Sequence, residues 1–189
     1  MKLTEHEEAI KKILKALGED PKRPDLIKTP KRFLEGLREM MSGYNENLDA
    51  LWNGALFEES YDDMVVVRNI EFYSLCEHHV IPFYGRCHIG YIPDRRIVGL
   101  SKIPRIVDVF ARRLQVQERL THQIGEALME GLKPKGLGVV MEAYHLCMMM
   151  RGVQKQNSFA LTSFMGGSFR DVLQTREEFV AHVHARAFE

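Results

Sequence analysis

Cys76-Glu77-His78-His79 places a thiol and an imidazole three residues apart, and His145-Leu146-Cys147 adds a second thiol far along the chain. Cys76, His79 and Cys147 make a zinc-type ligand set. Three protein ligands leave a fourth tetrahedral position open, as in catalytic zinc sites, whereas structural sites usually close with four. Two thiolates and a neutral imidazole suit zinc better than hard cations, which want oxygen. His78 and His145 each adjoin a ligand and have the chemistry of acid/base groups beside an activated water. The competing reading is that cysteines are small buried hydrophobes and paired histidines are surface residues. Two such clusters in 189 residues favour the metal. Cys87 lies near neither cluster and reads as an inert strand cysteine.

Other candidates are weaker. Ser101-Lys102-Ile103-Pro104-Arg105 precedes and opens a helix, whose N-terminal N–H groups and positive potential suit phosphate. Gln117 and Glu118 open another helical stretch. A buried carboxylate there would accept two N–H groups at once, as a guanine edge offers. From spacing alone Glu118 reads better as a partner of His122 or another surface cation. If residues 145–151 are extended, His145, Cys147, Met149 and Arg151 share one face, and Leu146, Met148 and Met150 fill core on the other. Arg151, taken alone, reads as a solvated charge.

The elements that must position these residues follow from periodicity. Thr4 with Glu7 has the form of a capping box, and Ala9, Ile10, Ile13, Leu14 and Leu17 follow at helical spacing. Asp20 to Pro24 is a linker. Thr29-Pro30 reads as N-cap and first helical position of a helix carrying Phe33, Leu34 and Leu37. A loop runs to about Ser60. Strands are expected at Met64–Tyr73, Gly85–Ile92, Leu137–Tyr144, Cys147–Val153 and Phe159–Met165, and a tight turn at Pro93–Arg96. Helices are expected at Pro104–Arg113, Gln115–Gly131 and from Thr175 to about Arg186. The pattern predicts an α+β protein: an antiparallel ββααββ sheet with helices on one face, preceded by a helical region. The expected division is a helical region over residues 1–60 and a catalytic domain over 61–189.

Composition narrows the partners. Lys+Arg and Asp+Glu both number 26, so bulk charge gives no reason to expect nucleic acid or an anionic membrane. Apolar residues at 45% suit a soluble globular chain. The first residues lack an apolar h-region, and no apolar run reaches the ~20 residues of a membrane span. Three cysteines in that setting imply reduced thiols in the cytoplasm rather than a disulfide framework.

Taken in order, CEHH, GLSKIPRIV, RRLQVQERL, HLCMMMRG and TREEF resemble GTP cyclohydrolase I from about Thr29 to the C-terminus. The resemblance implies zinc held by Cys76, His79 and Cys147, and acid/base roles for His78 and His145. It implies that Glu118, with Gln117 beside it, holds the guanine, and that Ser101, Lys102, Arg105, Arg151 and Arg32 bind the triphosphate. It thereby reverses the surface readings of Glu118 and Arg151. Leu114 and Cys87 depart mildly from the family's pattern at positions without a catalytic role.

The implied reaction converts GTP and water to 7,8-dihydroneopterin triphosphate and formate, the entry to folate and, in animals, tetrahydrobiopterin. Zinc supplies hydroxide that attacks C8 of the guanine. His145 protonates the ring nitrogen, the C8–N9 bond opens to a formamide, and a second attack releases formate. His78 serves the later ribose rearrangement. The implied fold is the tunnelling fold, and the implied assembly is a homodecamer of two face-to-face pentamers with active sites between subunits. The short N-terminus argues against control by an accessory protein. Two alternatives remain: an NADPH-dependent nitrile reductase of the same fold, which the Cys/His/Cys set disfavours, and a non-enzymatic zinc-stabilised interaction module, which the two adjacent histidines disfavour.

Overall fold

Residues 4–185 are described by the structure, a computed structural model. The chain divides into two compact units, one up to Ser42 and one from Gly43 onward. The first unit holds α1 (Thr4–Ala16) and α2 (Thr29–Met40), which pack on each other. Lys28 is the N-cap of α2 and gives no side-chain cap, so Thr29 lies inside the helix rather than capping it.

The second unit contains α3 (Leu48–Trp52), β1 (Leu56–Glu58), β2 (Val65–Cys76), β3 (Pro82–Ile92), β4 (Arg96–Val98), α4 (Lys102–Ala111), β5 (Leu114–Gln115) and α5 (Gln117–Leu132). There follow β6 (Gly136–His145), α6 (Leu146–Met149), β7 (Ala160–Gly167), α7 (Ser168–Asp171) and α8 (Leu173–His184). The expected end of the last helix, Arg186, lies outside the described residues. The loop expected before Ser60 contains α3, capped by the Asn47 side chain on the N–H groups of Asp49 and Ala50. It also contains β1, which pairs with β4 in a small two-stranded sheet.

The main sheet has the order β5-β2-β3-β6-β7. Every pairing is antiparallel except β5 on β2, which is parallel, so the sheet is mixed rather than purely antiparallel. On one face α4 and α5 bury Ile103, Ile106, Leu120, Ile124 and Leu128 against Phe72, Phe83, Ile89, Val139 and Met141. Helices were expected on that face alone. At one end of the opposite face, however, Phe169 of α7 and Phe179 of α8 pack with Val66 and Val140. Those two valines alternate with Val67 and Val139 of the main core, so both faces of this end carry apolar side chains that need cover.

A bulge in β2 decides which way the metal-loop cysteine points. Val67 pairs with Ile89 but Ile70 pairs with Cys87, so one extra residue is inserted, and Asn69 sits at φ 56°. Before the bulge the odd positions Val65 and Val67 face the main core; after it the even positions Ile70, Phe72 and Cys76 do. A one-residue slip reverses every facing. Asn is among the few side chains that accept this left-handed backbone readily.

At Gly85, β3 and β6 leave no room for a side chain. A β-carbon there would collide with the Glu142 carbonyl oxygen and lie 2.7 Å from the Ala143 Cα, both backbone atoms of β6. Gly85→Ala is expected to lower unfolding stability by on the order of 3 kcal/mol, the upper range for overpacking. A denaturant midpoint corresponding to less than about 1 kcal/mol of change would show that β3 and β6 can part without loss.

Candidate metal centre and active site

The three ligand-type residues of the two motifs come together. Cys76 ends β2, His79 lies in the turn that follows, and Cys147 lies in α6. Their donor atoms all fall within 4.8 Å of one another, and Cys76 Sγ stands 3.7 Å from His79 Nδ1. Cys76 is 6% exposed and Cys147 9% exposed, while His79 is open to solvent. The loop is shaped by backbone bonds: Cys76 N donates to Ile81 O, Val80 N donates to Cys76 O, and Glu77 N donates to Gln115 O. Val80 takes φ 54° to close this turn. Burial, and then the neighbouring Cys76, pushes the Cys147 thiol up, with Arg151 opposing. A cation between the thiols would reverse that balance, because metal binding displaces thiol protons.

The expected strand from Cys147 onward is not formed. Leu146–Met149 is a helical turn, closed by Met150 N donating to Leu146 O. Leu and Met favour helix over strand, and Gly152 at φ 66° then turns the chain away. The shared strand face proposed for His145, Cys147, Met149 and Arg151 is therefore corrected. Cys147 reaches the cluster from a helical turn, and Arg151 is exposed beyond it.

His145, the last residue of β6, pairs across the sheet with Phe83, and the two rings stack with centroids 4.7 Å apart. Its Nε2 lies 2.8 Å from Gln117 Oε1. Burial lowers its pKa, with the Glu118 charge pulling the other way. Gln117 is the first residue of α5, and its amide points inward. Glu118, one position on, is exposed and makes no ion pair among the described residues. His122 pairs instead with Glu126, at 3.1 Å. His78 is exposed and stands 3.9 Å from Glu77 Oε1.

Glu77 and Arg119 were not singled out from sequence. They form a two-pronged ion pair, with Arg119 Nη2 donating to Glu77 Oε1 at 3.0 Å, and so tie the metal loop to the start of α5. The Arg119 guanidinium holds the Glu77 carboxyl below its usual range. The alternation of polar letters in CEHH and QERL carried no sign of this pairing, since the two runs are far apart in sequence.

Ser101, Lys102 and Arg105 cluster at the N-terminal end of α4, where Ser101 is the N-cap residue and its hydroxyl makes no cap hydrogen bond. No hydrogen bond or ion pair among the described residues links these three to the cysteine cluster. Arg32 is exposed on α2, in the first unit. Cys87 is fully buried in β3, and burial pushes its thiol up. In native protein Cys87 is expected to resist alkylation while Cys76 and Cys147 react once any metal is chelated; peptide mass spectrometry would read this. Labelling of Cys87 at a comparable rate would contradict its burial.

Comparison with known proteins fits this geometry. A family model described as GTP cyclohydrolase I matches residues 6–184. The chain is 59% identical to GTP cyclohydrolase 1 of Leptospira biflexa, over 92% of this chain and 95% of that protein. It is 53% identical to GTP cyclohydrolase 1 of Gloeobacter violaceus, over 95% of this chain and 84% of that protein. A solved structure of the archaeosine synthase QueF-Like in the apo form aligns with a TM-score of 0.48 and 16% identity, covering 58% of this chain and 97% of that one. With a family match over nearly its whole length and relatives above half identity, the chain belongs to the GTP cyclohydrolase I family.

Proposed function

We propose that Cys76, His79 and Cys147 hold Zn2+ and that this centre opens the guanine ring of GTP. The overall conversion, GTP to 7,8-dihydroneopterin triphosphate and formate, is that of the family to which the chain belongs. The convergence of two thiols and one imidazole within 4.8 Å carries the zinc assignment. Bound there, zinc brings the pKa of a coordinated water to about 7 and so supplies a nucleophile at neutral pH. Reduced thiols as ligands fit a cytoplasmic setting.

The chain's own groups do the rest. His145, locked by Phe83 and Gln117, exchanges a proton with the purine ring nitrogen. His78, exposed on the loop, serves the later rearrangement. Glu118 accepts the two N–H groups of the guanine edge. Gln117, expected beside the base, turns its amide inward, leaving that edge to Glu118. Ser101, Lys102, Arg105, Arg151 and Arg32 bind the triphosphate. Among the described residues no hydrogen bond or ion pair joins Ser101, Lys102 or Arg105 to the cysteine cluster, which is consistent with active sites completed by a second subunit. Exposed Tyr73, Tyr144 and Phe159, with the open edges of β5 and β7, support a tunnelling-fold assembly of two face-to-face pentamers. No described helix is long and apolar enough to cross a membrane.

The test supplies GTP to zinc-replete protein and follows formate together with pterin fluorescence. Stoichiometric formate and pterin are expected. Turnover that consumes NADPH on a deazaguanine nitrile, with no formate from GTP, would overturn the assignment. Light scattering at the monomer mass would contradict the decamer.

A further inference from the structure

The side-chain amide of Gln117 is spent inside the protein. It is 2% exposed. Nε2 lies 3.1 Å from each of three oxygens: the Met141 carbonyl, the Ala160 carbonyl and Thr162 Oγ1. Two of these are backbone carbonyls, which only accept. The amide therefore cannot be flipped without setting its oxygen against both of them, a buried arrangement of acceptors with no donor.

The hydroxyls confirm the direction. Thr121 Oγ1 donates to the Gln117 carbonyl at 2.8 Å, which uses its only hydrogen. The Thr162 hydroxyl, 2.6 Å from Thr121 Oγ1, must then donate to it. That leaves the Thr162 oxygen as acceptor for the Gln117 amide. With Nε2 so fixed, Oε1 is an acceptor, and His145 Nε2 at 2.8 Å must be the donor.

We infer that Gln117 is a positioning residue for the reaction: its buried amide holds His145 in the Nε2–H form and leaves Nδ1 as the nitrogen that exchanges a proton with the substrate. No hydrogen bond among the described residues occupies Nδ1. Stacking on Phe83 fixes the plane of the ring and the amide fixes its rotation within that plane. A histidine oriented by a third group is the usual arrangement where one nitrogen does chemistry. Thr121, Thr162 and Gln117 form a network whose members all find partners, so it orients rather than adapts. The role of His145 in ring opening rests on the function proposed above; its tautomer does not.

The experiment uses zinc-loaded full-length protein with 15N-labelled histidine. NMR should show neutral His145 carrying its hydrogen on Nε2, assigned by loss of the signals in His145→Asn. Gln117→Met should lower kcat for formate release by roughly 10- to 100-fold, the scale for a displaced supporting group, with KM for GTP within about twofold. Thr162→Val should lower kcat in the same direction and Thr162→Ser should restore it, which keeps the test open if Gln117→Met does not fold. A Nδ1–H tautomer in the parent protein would overturn the inference. So would a raised KM at unchanged kcat in Gln117→Met, which would make the amide a base contact, or kcat losses that merely track lost zinc. Parent protein that releases no formate would sink the function proposal instead, with the tautomer still measurable.

Discussion

Cys147→Ser is expected to abolish both metal binding and formate release. The serine hydroxyl keeps its proton at neutral pH and is a poor ligand where a thiolate is a good one. Two ligands, Cys76 and His79, would remain, and His79 sits on an exposed turn where water competes. Losing zinc returns the pKa of the attacking water from about 7 to about 15.7, so turnover should fall by at least about 10^3-fold. The fold should survive, because the side chain lies at the edge of the core in a four-residue helical turn. Metal analysis and formate assays on the same sample separate the cases. Retained zinc with lost activity would make Cys147 something other than a ligand.

Glu118→Gln should leave the zinc in place and remove base recognition. A carboxylate presents two acceptors to the guanine N1–H and exocyclic amine, and the bonds are charge-assisted. The amide keeps one acceptor and opposes a donor with a donor. Sites built to hydrogen-bond a group discriminate against its mismatch by about 10^4-fold, so kcat/KM for GTP should drop by roughly 10^3- to 10^4-fold. Glu118 is exposed and unpaired among the described residues, so the change should cost the fold little. The parent protein should prefer GTP over inosine triphosphate, which lacks the exocyclic amine, and the variant should lose most of that preference. A variant as active on GTP as its parent would place the base elsewhere.

The candidate ligand set was legible in the sequence because its residue types are rare and chemically specific. Cys76, His79 and Cys147 needed only a fold that brings two motifs together. Four of the five expected strands were legible from their β-branched and aromatic letters, apart from their ends, and form β2, β3, β6 and β7; the short β1, β4 and β5 were not expected. What the sequence hid was geometry set by tertiary context. Met64 to Tyr73 reads as an uninterrupted strand, yet the bulge at Asn69 is what turns Cys76 inward. Arg68-Asn69 within a β-branched run was the available signal. Met148-Met149-Met150 looked compatible with a strand and is instead partly helical, and the helix preference of Leu and Met was the available signal. The resemblance named Glu118 as the base contact with Gln117 beside it, and the letters did not say which side chain turns inward. Adjacent helical positions point about 100° apart, and the structure buries Gln117 and exposes Glu118. Of the residues proposed to bind phosphate, Ser101, Lys102 and Arg105 carried a weak signal of their own in the helix they open, whereas Arg32 and Arg151 were named only through the resemblance.

The central claim is that a single zinc held by Cys76, His79 and Cys147 drives hydrolysis of GTP. The most direct measurement strips the protein with a chelator, returns zinc in steps, and records bound zinc and formate release on the same samples. Formate release should be absent without zinc and rise in proportion to bound metal, saturating at one zinc per chain. Undiminished formate release from metal-free protein would contradict the account.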